Sequence, residues 1–203
     1  VVLSGCSADA ARTDIFLVAE HMDALCVTAE RMRAGGYRTA VFGNFAGDPR
    51  ADGFDHHCTW QSASPPRPFG PTVVIDGQTT TFPDEVGLAK LIVDCVRRLA
   101  IADERPLFAC WLVHPEVLAW RDAAAILRAE CHRLSLQGRA PLLIAAGSSK
   151  ANGRPFEVLA SRCGGAFTER TAAAADIAAT VLGLAGLPGD FRGRSFSDSL
   201  PNH

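Results

Sequence analysis

Apolar positions along the chain alternate between helical spacing and short unbroken runs, with turn residues between them. Leu25, Ala29 and Met32 recur at helical spacing, and Gly35-Gly36 follows where a helix stops. Tyr37-Arg-Thr-Ala-Val-Phe42 is rich in β-branched and aromatic residues and predicts a strand. Residues 46–71 hold seven prolines and glycines beyond Gly47 and are expected as loop: Pro49, Gly53, Pro65, Pro66, Pro68, Gly70 and Pro71. Thr72 to Phe82 predicts a hairpin turning at Asp76-Gly77. Pro83-Asp-Glu opens a helix whose inner stripe is Leu88, Leu91, Ile92, Cys95, Val96 and Leu99. Arg105 to His114 is a continuous apolar run, as expected of a strand covered on both faces. A second amphipathic helix spans Trp120 to Gln137, with Ala124, Leu127, Cys131 and Leu134 inward. A strand at Ala140–Ala146, a strand at Pro155–Ala160 and a helix at Thr171–Pro188 complete the pattern.

This alternation predicts an α/β fold: a three-layer sandwich with a mostly parallel central sheet and helices on both faces. At 203 residues and 48% hydrophobic, the chain can bury one core, so residues 1–203 are read as a single domain. With 20 basic and 22 acidic residues and no clustered basic run, a nucleic-acid partner is not expected. No apolar run reaches the roughly 18 residues of a membrane helix, so no membrane partner is expected either. The 7 cysteines are scattered, odd in number and without a CxxC pair, which predicts reduced thiols and a cytoplasmic protein.

The wording of two stretches goes further. Thr28-Ala-Glu, then Gly36-Tyr-Arg-Thr-Ala-Val-Phe-Gly-Asn44-Phe-Ala46-Gly47, then Gly53-Phe54-Asp55 resembles a block of the sulfatase-like branch of the alkaline phosphatase superfamily. Asp176, Thr180 and Leu182 to Pro188, followed by Gly193-Arg-Ser-Phe196, resemble that family's late structural helix. The resemblance implies a sulfatase-like domain, and against the family's pattern it is a strongly truncated one.

Carried over residue by residue, the resemblance also shows what has changed. The family's active-site Lys and His correspond to Asn44 and Ala46. Its strand ending in Ser-Asp-His-Gly, whose Asp and His bind the metal, corresponds to Ala146-Gly147-Ser148-Ser149. Asp9-Ala-Ala-Arg12-Thr-Asp14 fits the spacing of a loop whose first Asp is a metal ligand, and an N-cap is the alternative role for Asp9. His114 matches a family His at the end of a central strand. Lys150 matches a downstream active-site Lys. Asp9 and His114 are therefore the candidate catalytic residues, and Arg12, Asn44, Lys150, His56 and His57 the candidate binding residues. Three consecutive side chains of an extended segment cannot easily share one ion, so His56-His57-Cys58 is read as a loop cluster without metal.

Metal-assisted ester hydrolysis needs an ion, a nucleophile and cationic groups for the developing charge. The resemblance leaves these positions emptied of their chemistry. The expectation is a degenerate sulfatase-like domain with no cofactor and no metal site. It would act as a binding or partner protein, with a small-molecule ligand or as a homo- or hetero-oligomer with an enzyme. The alternatives are a repurposed metal-independent enzyme of specialised metabolism using Asp9, His114, Cys110 or the His56–Cys58 cluster, and, less favoured, a sulfate or phosphate ester hydrolase.

Overall fold

The structure is a computed structural model that describes residues 13–20, 25–45, 47–60, 72–81, 85–114, 118–148, 156–188, 193–197 and 200. Its described strands form one sheet of nine, in the order β5-β4-β3-β2-β6-β1-β7-β8-β9. The strands are β1 (Ile15–Ala19), β2 (Arg38–Asn44), β3 (His56–Trp60), β4 (Thr72–Ile75), β5 (Gln78–Thr81), β6 (Leu107–Leu112), β7 (Leu142–Ser148), β8 (Phe156–Arg162) and β9 (Thr168–Ala172). The helices are α1 (Leu25–Ala34), α2 (Glu85–Ala102), α3 (Trp120–Leu136) and α4 (Ala174–Leu184).

The sheet is mixed, which corrects the expectation of a mostly parallel one. The five strands β3-β2-β6-β1-β7 are parallel, and β4, β5, β8 and β9 extend both edges by antiparallel pairing. The reason is the connections. A parallel neighbour needs a crossover of a dozen or more residues, whereas among the described residues no helix separates β3 from β4 and β5, or β7 from β8 and β9.

Helices do cover both faces. Met32 of α1 and Val181 of α4 pack with Leu17, Phe108 and Ile144 on one side. Ile92 of α2 and Leu127 of α3 pack with Phe16, Trp111 and Leu143 on the other. Burial on both faces explains why β1 and β6 read as unbroken apolar runs. On the second face, Arg97 of α2 donates from Nε and Nη2 to the two oxygens of buried Glu130 in α3, both at 2.7 Å. This fork locks the two helices together.

Three strands depart from the sequence expectations. β1 lies in a stretch given no element, and it is the centre of the sheet. β3 lies inside the region expected as loop. β9 takes Thr168–Ala172, so α4 starts at Ala174 rather than Thr171. The hairpin matches its prediction: Asp76 and Gly77 sit at φ 47° and 93°, the positive pair of a type I′ turn.

The connections from β1 and β6 diverge. After β1 the chain crosses the first face by α1 to reach β2, and after β6 it crosses the second face by α3 to reach β7. The two neighbouring strands thus send their chains opposite ways, which opens a crevice at their C-terminal ends.

Candidate functional site

The crevice is built from four strand ends. Ala19 and Leu112 are register partners, and the Val113 N–H donates to the Ala19 carbonyl at 3.0 Å. Glu20, directly after Ala19, and His114, directly after Val113, stand half-buried at the rim. On the other side of β6, Gly43 pairs with Leu112, and Asn44 pairs with Trp60 at the end of β3. Gly43 has φ 101°, and a Cβ there would collide with the Leu112 carbonyl oxygen. Only glycine lets β2 run this close to β6 and deliver Asn44 to the rim.

Beside the rim lies a small pocket of about 10 Å³, lined by Trp60, Trp111, Val113, His114, Leu118 and the start of α2. It has room for about one water-sized sphere. Its wall is aromatic and aliphatic, with the His114 imidazole as its titratable group. The Leu118 N–H donates to the His114 carbonyl at 3.0 Å, which fixes the chain as it leaves the strand. At the end of β7, Gly147 lies directly against the Trp120 indole, where a Cβ has no space. The Arg121 guanidinium sits 4.8 Å over the same ring.

The sequence candidates separate into three groups. His114 and Asn44 come to neighbouring strand ends at the crevice. Asp9, Arg12 and Lys150 lie outside the described residues, as does Ser149. His56 and His57 stand at the start of β3, four residues from Trp60 and so about 13 Å along the strand from the rim. There they flank Asp76: each Nδ1 is 3.7 Å from a different carboxylate oxygen, and the His57 N–H donates to Asp76 Oδ1 at 2.9 Å. Buried His57 Nδ1 has no hydrogen-bond partner. Burial pushes the Cys58 thiol up to about 12, with Cys95 and Asp76 adding to it, so at neutral pH it is a core thiol. Cys110 is likewise fully buried, in the middle of β6. Among the described residues no three His, Cys, Asp or Glu side chains converge as a metal requires, so these residues do not fit a resident ion.

Sequence reasoning missed Glu20, Trp60 and Trp111 as rim or pocket residues. The available signal for Glu20 was the apolar run Ile15–Ala19 with a carboxylate directly after it.

Fold and crevice together define an α/β protein with a mixed sheet and a strand-end crevice. No protein-family model and no curated protein matches the chain. A solved structure, that of BT4656 in complex with its substrate D-glucosamine-2-N,6-O-disulfate, is similar at 20% identity and a TM-score of 0.32. The likeness covers 41% of this chain and 17% of that one, so this chain spans a small part of the other protein's length. Among the described residues no helix is long and apolar enough to cross a membrane.

Proposed function

We propose that this chain is a degenerate sulfatase-like domain that binds a small ligand or an enzyme partner at the strand-end crevice without hydrolysing esters. Asn44 carries the reading. It stands at the crevice rim, at the position where the resemblance calls for a lysine. A neutral amide supplies no positive charge to an oxygen that becomes negative in a transition state. The pocket beside it is apolar, which suits the non-polar end of a ligand better than a charged ester. The test is calorimetric titration of the dialysed chain with Mg²⁺, Ca²⁺ and Zn²⁺ in turn. The reading predicts no saturable one-to-one site, and stoichiometric binding with turnover of an aryl ester contradicts it.

A second reading rests on Glu20 and His114, a carboxylate and an imidazole on adjacent strand ends. It makes the chain a repurposed, metal-independent enzyme that uses His114 in acid–base chemistry. Here His114→Ala, Glu20→Ala and Asp9→Ala are compared in an assay of the native pathway. Unchanged product formation by all three variants counts against it.

A further inference from the structure

At the opposite end of the central strands, where β1, β2 and β6 begin, three guanidinium groups meet two carboxylates. Asp14 is fully committed: it accepts from Arg139 through both oxygens and from the Leu107 N–H at 2.8 Å. Asp103 is committed to Arg105, accepting from its backbone N–H at 2.7 Å and from its Nη2 at 3.0 Å. Arg38 is left over. Its Nε approaches Asp103 Oδ1 to 3.3 Å, but the direction makes no hydrogen bond, and neither Nε nor Nη2 has a hydrogen-bond partner.

Arg38 is nevertheless 4% exposed. The charges acting on it are Asp103 and Asp14, which hold its proton, and Arg105 and Arg139, which repel it; burial is the largest influence and disfavours its charge. Three arginines against two aspartates leave one positive charge in excess. A buried guanidinium with idle donors is costly unless an anion completes it. The fork geometry of such a group matches oxyanions.

We infer that this corner is an anion site, in which a small tetrahedral oxyanion, sulfate or phosphate, seats between the Arg38 and Arg105 guanidiniums. Arg38 Nε and Nη2 are buried beneath the exposed turn Asp103–Arg105, whose Arg105 side chain is 62% exposed, so the ion enters by displacing that side chain. The ion takes the donors that the poorly directed Asp103 carboxylate leaves idle. The site is separate from the strand-end crevice and does not depend on its function.

The experiment is isothermal titration of the full chain with sodium sulfate and, separately, sodium phosphate, at an ionic strength held constant with sodium chloride. Saturable one-to-one binding of at least one ion is expected. Arg105→Gln should weaken it roughly tenfold, the worth of a hydrogen bond to a charged group. Arg38→Met should abolish it and His114→Ala should leave it intact. Arg105 is exposed enough that its replacement keeps the fold, so that variant decides the matter if Arg38→Met does not fold. No saturable binding of either ion overturns the inference. Equal binding by Arg105→Gln overturns it too, and so does loss of binding in His114→Ala, which would put the ion in the crevice.

Discussion

Asp14 and Arg139, 125 residues apart in the chain, close a two-pronged ion pair at the foot of the sheet, with Nε to Oδ2 at 2.7 Å and Nη2 to Oδ1 at 2.5 Å. Asp14 is fully buried and Arg139 is 18% exposed. Asp14 also takes the Leu107 N–H, and its carbonyl takes the Leu142 N–H. One residue therefore ties the starts of β1, β6 and β7, and the far ends of β1 and β6 carry the crevice. Arg139→Gln should cost about 3 kcal/mol in urea denaturation, because it strands a buried carboxylate. A loss under about 1 kcal/mol would mean that the pair does not hold the strand starts.

Gly43 sets the position of Asn44. Gly43→Ala puts a methyl group into the Leu112 carbonyl at φ 101°. The expected loss is about 3 kcal/mol or more by thermal or urea unfolding. An alanine variant of unchanged stability would show that β2 and β6 can separate without cost.

Tyr37 is 3% exposed, and its buried hydroxyl has no hydrogen-bond partner. Tyr37→Phe should accordingly be neutral or stabilising, by up to about 1 kcal/mol. A clear destabilisation would reveal a partner for the hydroxyl.

Alkaline stability follows from the same burial. Cys58 is pushed from 9.0 to about 12 by burial, and Tyr37 from 10.0 to about 12 by burial and then by Asp14. Both groups ionise more easily in the unfolded chain. Their contribution is whole below about pH 9 and is lost as pH rises toward 12. Denaturation midpoints measured from pH 8 upward should fall through this window, and less steeply in Cys58→Ala than in the wild type. Parallel curves for the two proteins would contradict the assignment of Cys58.

Elements whose pattern matched their burial were legible in the sequence. Ile92 and Val96 of α2, Leu127 and Leu134 of α3, the apolar run of β6 and the Asp76-Gly77 turn all lie where spacing put them. β1 was hidden because the apolar residues Val1–Leu3, which lie outside the described residues, read as the first strand and placed Ser4–Asp14 in the loop after it. β3 was hidden among prolines and glycines, and β9, Thr-Glu-Arg-Thr-Ala, is a polar edge strand with a mostly exposed surface. Strand direction is not encoded in periodicity at all, which is why the mixed sheet was unforeseen. At the site, His114 and Asn44 were legible because each ends a strand that could be read. Glu20 and Trp60 were not, because their strands could not.

The most direct measurement of the central claim is release of nitrophenol from nitrophenyl sulfate and nitrophenyl phosphate by the full chain, with Mg²⁺, Ca²⁺, Mn²⁺ or Zn²⁺ added in turn. Rates equal to protein-free buffer are expected for both esters with every metal. Metal-dependent turnover that is lost on replacing His114 by Ala would contradict that claim.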